Sequence, residues 1–276
     1  MADDAPTIVR HAVTAPSEPS LQRFASFDGT TIAYRDEGSG RAVLLLHGFA
    51  ADQHANWTQP HVIDALVEAG HRVLAPDARG HGASAKPTEP QAYADDAMVR
   101  DARALLDHLD IDAVDVVGYS MGALVSARLV LVEPRARSLV LGGLGAGLAG
   151  ERRRASGSTI ADALLADDTS TIADPMARAF RAFADQTGAD RHALAAIQRA
   201  PRPGTPTRLE AIAIPTLVIA GDRDVLVGSP QGVADRIPGA TARVIRGDHL
   251  TAVGDPAFRG AIVEFLAAHP WTVPAA

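Results

Sequence analysis

The sequence predicts an α/β fold: a mostly parallel, twisted sheet flanked by helices, with a small helical insertion after the sixth strand. Three observations predict it. Continuous apolar runs of strand length stop abruptly at Gly, Asp or Ser. Stretches of helical period lie between them, and the strand signal lapses from Gly143 to Arg208 before resuming. Strands apolar throughout are buried on both faces, and alternation with helices implies right-handed crossovers in a parallel sheet.

The elements follow in order. "RFASFDGTTIAYRDEG" has two short runs around Asp28-Gly29, a hairpin signal. "AVLLLHG", "HRVLAPD", "VDVVGYS" and "SLVLGG" read as buried strands. Between them "QPHVIDALVEAG", "DDAMVRDARALLDHLD" and "MGALVSARLVLVEP" read as helices. In the second, Met98, Ala102, Leu105, Leu106 and Leu109 form one stripe, and Arg100, Asp101, Arg103 and Asp107 face away from it. "IPTLVIAGD" and "ARVIRGD" resume the strands, and "DPAFRGAIVEFLAAH" closes the chain with a helix. The expected organisation is a core of residues 21–142 and 209–276, a helical cap at 143–208, and a poorly ordered arm at 1–20. Loops at strand C-termini carry function in such sheets, so an insertion there should cover the site.

Composition narrows the classes of function. The 276 residues carry 26 basic and 33 acidic side chains, a net charge of -7, which points to neither nucleic acid nor an anionic membrane as partner. No apolar run approaches the roughly 18 residues of a membrane span. Without cysteine there is no disulfide, thiolate metal site or cysteine nucleophile. The acidic N-terminus lacks the pattern of a signal peptide, and a cytoplasmic location is expected. No phosphate-binding loop and no convincing metal-ligand spacing occurs, so no cofactor and no metal is expected. Oligomeric state is not legible here.

The chemistry centres on Gly118-Tyr119-Ser120-Met121-Gly122, which matches G-x-S-x-G at a strand-to-helix junction. A sharp turn there brings backbone segments so close that side chains at the glycines would clash, and it exposes a strained serine. A serine hydroxyl needs a base, and the base needs an orienting carboxylate. "AGDRDVLV" offers Asp222 and Asp224 after one late strand, and "RGDHLTAV" places His249 after the next. Spacing alone does not rank the two acids. Negative charge on the reacting carbonyl oxygen calls for two donors, one of them the Met121 NH at the start of a helix.

"LLLHGF", "PDARGHGAS", "GYSMGA", "IAGDRDVLV" and "GDHLTAV" together resemble the α/β-hydrolase superfamily, in its serine branch of small esterases and cofactor-free haloperoxidase-like enzymes. The resemblance runs from about Phe24 to the closing helix and weakens in the insertion. It implies Asp224, the last residue of a G-x-x-D turn, as the acid partner of His249, with Asp222 capping the turn. It also implies the Phe49 NH as the second oxyanion donor. Asp248 departs from the family's bare Gly-His and is expected to face solvent. His47, Gly48, Asp77, Arg79 and His81 are expected to shape loops. Trp57, Phe180 and Phe183 are candidates for the substrate pocket, and Arg152, Arg153 and Arg154 for a solvated face.

The expected function is hydrolysis of a small carboxylic ester or similar acyl substrate through an acyl-enzyme. The same site could cleave a carbon–carbon bond, form peracids, or serve a ligand-binding receptor with slow turnover. Epoxide hydrolases and dehalogenases of the superfamily place a carboxylate where Ser120 stands.

Overall fold

A computed structural model describes residues 21–145, 153–201 and 207–271. The N-terminal arm and Arg152 lie outside the described residues, as do the side chains of Arg153 and Arg154. Eight strands form one sheet: β1 (Gln22–Ala25), β2 (Thr31–Gly38), β3 (Arg41–Leu46), β4 (His71–Pro76), β5 (Val114–Tyr119), β6 (Ala136–Gly142), β7 (Thr216–Gly221) and β8 (Thr241–Ile245). Their order is β1-β2-β4-β3-β5-β6-β7-β8. The pairs β1–β2 and β2–β4 are antiparallel, and β4 through β8 run parallel.

The predicted two-sided burial is realised residue by residue. Along β3, Leu44 and Leu46 enter one core while Val43 and Leu45 enter the other; Val116 and Val117 divide in the same way on β5. A strand's period of two requires that division. Helices α1 (Val62–Glu68) and α8 (Pro256–Ala268) cover one face, and α2 (Ala97–His108), α3 (Met121–Leu129) and the short α7 (Gln231–Ala234) the other. Each Leu, Val or Ile taken fully from water contributes about 1.5–3 kcal/mol. Among the described residues no helix is long and apolar enough to cross a membrane.

Among the described residues three α-helices lie between β6 and β7: α4 (Arg153–Leu165), α5 (Pro175–Thr187) and α6 (Arg191–Arg199). Asp174 and Asp190 cap the last two through bonds to Ala177, His192 and Ala193 NH groups. Ile160, Leu164, Ile172 and Leu194 form a third apolar cluster, and it closes directly on Phe49 and Met121.

Asp101 has surroundings that its place beside the apolar stripe does not reveal. It is buried, accepts the Ser26 hydroxyl at 2.5 Å, and pairs bidentately with Arg79 at 2.6 Å and 2.6 Å. Arg79 also reaches Asp28 at 2.9 Å and the Ala92 carbonyl at 2.6 Å. Burial opposes the charge on Arg79, but the bonds it donates to Asp101 and Asp28 outweigh it and hold its pKa above the ordinary arginine value. One guanidinium thus ties the β1–β2 hairpin and α2 to the loop after β4.

Candidate active site

Ser120 occupies the turn from β5 into α3 with φ 53° and ψ -109°. Few non-glycine residues adopt such a backbone, and it costs about 1–3 kcal/mol. The surroundings enforce it. A Cβ at Gly118 would lie 2.3 Å from the Gly122 carbonyl oxygen, and one at Gly122 would lie 1.9 Å from that of Leu46. The Ser120 NH donates to the Gly142 carbonyl at 2.8 Å, pinning the turn to β6.

The structure brings Ser120, His249 and Asp224 together. Ser120 Oγ lies 2.8 Å from His249 Nε2, and His249 Nδ1 lies 2.8 Å from Asp224 Oδ2. Asp224 is wholly buried, and its Oδ1 accepts the NH groups of Leu226 and Val227 at 3.2 Å each. With Nδ1–H donated to this carboxylate, Nε2 is the nitrogen left to accept the serine proton. Asp222 is exposed, and its Oδ1 accepts the Gly247 NH at 2.9 Å. Asp248 is also exposed; its Oδ1 takes the NH groups of Leu250 and Thr251 and the Thr251 hydroxyl. The Thr251 hydroxyl, ahead of these NH groups, holds its pKa below the usual carboxylate range.

The loop after β3 is fixed from several sides. Gly48 NH donates to Asn56 Oδ1 at 2.7 Å, and Ala50 NH donates to His81 Nε2 at 3.2 Å. His47 accepts the Ala78 NH on Nε2 at 2.9 Å, so its Nδ1–H donates to the Gly48 carbonyl at 2.8 Å. Burial, with His47 beside it, pushes His81 down to about 3, and its Nε2 stays an unprotonated acceptor. The Phe49 peptide is therefore clamped between two immobilised neighbours. Met121 is the first residue of α3, where the NH has no intrahelical acceptor.

Phe49, Phe180 and Phe183 line a cavity of about 20 Å³ at Ser120 and His249, with Asn56 and Tyr119. Phe49 packs edge-on against Phe180 at 5.7 Å and against His81 at 5.9 Å. Behind it lies a cavity of about 190 Å³, bordered by Phe49, Met121, Leu124 and Ile197. Trp57 requires correction. It is fully buried in the core, stacks on Phe258 at 6.5 Å, and lines neither of these cavities. The helical turn His54–Thr58 directs it beneath the sheet's α1–α8 face.

Sequence reasoning missed two residues that position the site, Tyr119 and Asn56. Tyr119 donates its hydroxyl to the His249 carbonyl at 2.9 Å and lies beside the imidazole, ring centroids 5.8 Å apart. Burial, then the Asp224 charge, raises its pKa, so the phenol keeps its proton. Tyr119 occupies a free position in G-x-S-x-G, so the motif does not mark it. Asn56 bonds the Gly48 backbone NH, and a motif of side chains carries no sign of that; His81, expected to shape a loop, does so by accepting the Ala50 NH.

A family model described as "alpha/beta hydrolase fold" matches residues 41–148. The chain is 31% identical to a hydrolase of Pseudomonas aeruginosa PA01 of solved structure, with TM-score 0.70, covering 90% of this chain and 99% of that one. It is 27% identical to a bromoperoxidase of Bacillus anthracis, with TM-score 0.66, covering 90% and 100%. Epoxide hydrolase 2 of Siraitia grosvenorii is 38% identical over 116 residues, 42% of this chain and 36% of that protein. The match thus spans about a third of the length of that curated relative.

Proposed function

This chain belongs to the α/β-hydrolase family, and on that premise we propose that it hydrolyses carboxylic esters through a serine acyl-enzyme. One observation carries the reading: the unbroken row from Ser120 Oγ through His249 to buried Asp224, with 2.8 Å at both links. Ser120 Oγ attacks the ester carbonyl as His249 Nε2 takes its proton, and Asp224 orients the imidazole and steadies its cation. The Phe49 and Met121 NH groups receive the developing oxyanion, the second at a helix N-terminus whose dipole favours negative charge. His249 returns the proton to the leaving oxygen. It then activates the water that cleaves the acyl-enzyme.

The chemistry of the nucleophile sets aside epoxide opening despite the partial likeness to an epoxide hydrolase. Serine attack on an epoxide would leave an ether that water does not cleave; a carboxylate would leave a hydrolysable ester. The likeness to a bromoperoxidase supports a second reading in the same site. There hydrogen peroxide replaces water at the acyl-enzyme and releases a peracid while Ser120 regains its proton.

A fluorophosphonate probe is expected to form one adduct per chain, located at Ser120 by peptide mass spectrometry, with parallel loss of p-nitrophenyl acetate turnover. Many turnovers per chain are expected before labelling, which separates an enzyme from a receptor that reacts slowly. Turnover surviving full labelling of Ser120 would overturn the assignment.

A further inference from the structure

The space around the site is strongly asymmetric. Beside His249 lies a cavity of about 500 Å³ whose lining does not include Ser120, against about 20 Å³ at the serine itself. Pro175, Met176, Phe180, Val225, Leu226 and Leu250 line the larger one with His249. Its wall includes Asp174, whose Oδ1 is committed to the Ala177 NH at the start of α5. Val225 is 96% exposed, Leu250 44% and Met176 37%. Half of the six large apolar side chains exposed among the described residues thus surround this one cavity. Solvent-facing apolar groups concentrated in this way mark a binding surface.

The direction of the chemistry says which part of a substrate lies there. At the tetrahedral carbon the oxyanion points to Phe49 and Met121, and the leaving oxygen must come within hydrogen-bond reach of His249 Nε2. The cavity meets His249 and Leu250 but includes neither Ser120, Phe49 nor Met121 in its lining, so it lies on the leaving-group side. The acyl substituent is left with the small space, closed by Phe49, Phe180 and Phe183; the cavity of about 190 Å³ shares only Phe49 with that space and is lined by neither Ser120 nor His249. The small space holds about one water-sized group.

We propose that the protein takes esters of a short, acetate-sized acid with bulky apolar alcohols, the alcohol lying in the Met176–Val225–Leu250 cavity. This rests on the ester-hydrolase reading above. The Ser120 Oγ–acyl carbon bond forms as the carbon–alkoxy bond breaks. The proton taken from Ser120 passes through His249 Nε2 to the departing alkoxide, which leaves as the neutral alcohol across an apolar surface.

Two ester series test it on the intact chain, with acid release followed by pH-stat: acetates of methanol, butanol and hexanol, and methyl esters of acetic, butanoic and hexanoic acids. Along the alcohol series kcat/KM is expected to rise about two- to fourfold per methylene. Along the acyl series it should fall already from acetate to butanoate, and a rise along that series overturns the acetate-sized assignment. Val225→Asn and Leu250→Asn should each lower the hexyl-to-methyl acetate ratio about tenfold, mainly through KM. A flat or falling alcohol series with turnover that still depends on Ser120 overturns the cavity's assignment alone, as do unchanged ratios in both variants. Absence of turnover with every ester in both series overturns the ester reading and this inference with it.

Discussion

Replacing Ser120 with alanine is expected to lower kcat for p-nitrophenyl acetate by about 10⁴- to 10⁶-fold, and His249→Ala by a comparable factor. Both remove the same event, proton transfer from Oγ to Nε2 across 2.8 Å. The double variant should therefore be hardly worse than either single one, because the members of such a row act as a unit. What survives should reflect the Phe49 and Met121 NH groups, which neither substitution removes. Steady-state assays of the three variants, with circular dichroism to verify folding, check the expectation. An additive double variant would mean that the two side chains work in separate steps.

The two acids of the turn after β7 are expected to differ sharply. Asp224→Asn should reduce kcat about 10³- to 10⁴-fold. The amide retains the shape, but it can offer an NH to Nδ1 and favour the tautomer with its proton on Nε2, where no lone pair remains for the serine. Asp222→Asn should change kcat less than about threefold, since an amide oxygen still accepts the Gly247 NH and the group is exposed. A pH profile of kcat/KM for both variants separates a lost orienting group from a distorted turn. Equal losses in the two variants would assign the effect to the loop instead of to the proton path.

The parts of this molecule legible in the sequence are those with a strong local signature. Apolar runs such as Leu44–Leu46 mark two-sided burial because both faces of the strand need apolar side chains. The glycines of the elbow are legible because backbone atoms occupy the positions their side chains would fill. The burial of Asp101 is not legible, because a carboxylate outside a helix's apolar stripe looks the same whether it meets water or Arg79. Its partners Arg79 and Ser26 are 22 and 75 residues away in the chain. Trp57 was equally ambiguous, since an aromatic at the head of a helix suits a pocket wall or a core, and only packing against Phe258 decides. The cavity asymmetry around His249 arises where α5 meets the turns after β7 and β8, and no single segment carries it.

The elbow has a consequence for durability. At φ 53° and ψ -109° position 120 has the dihedral angles that a glycine takes at the first corner of a type II′ turn. Nature has put a side chain there for its oxygen, against the preference of the main chain. Of two inactive proteins, Ser120→Gly should therefore melt above Ser120→Ala, by about 2–4 °C for each kcal/mol of relief in a domain of this size. Calorimetry of that pair would measure the thermal tolerance this chain forgoes to keep a reactive hydroxyl at that corner.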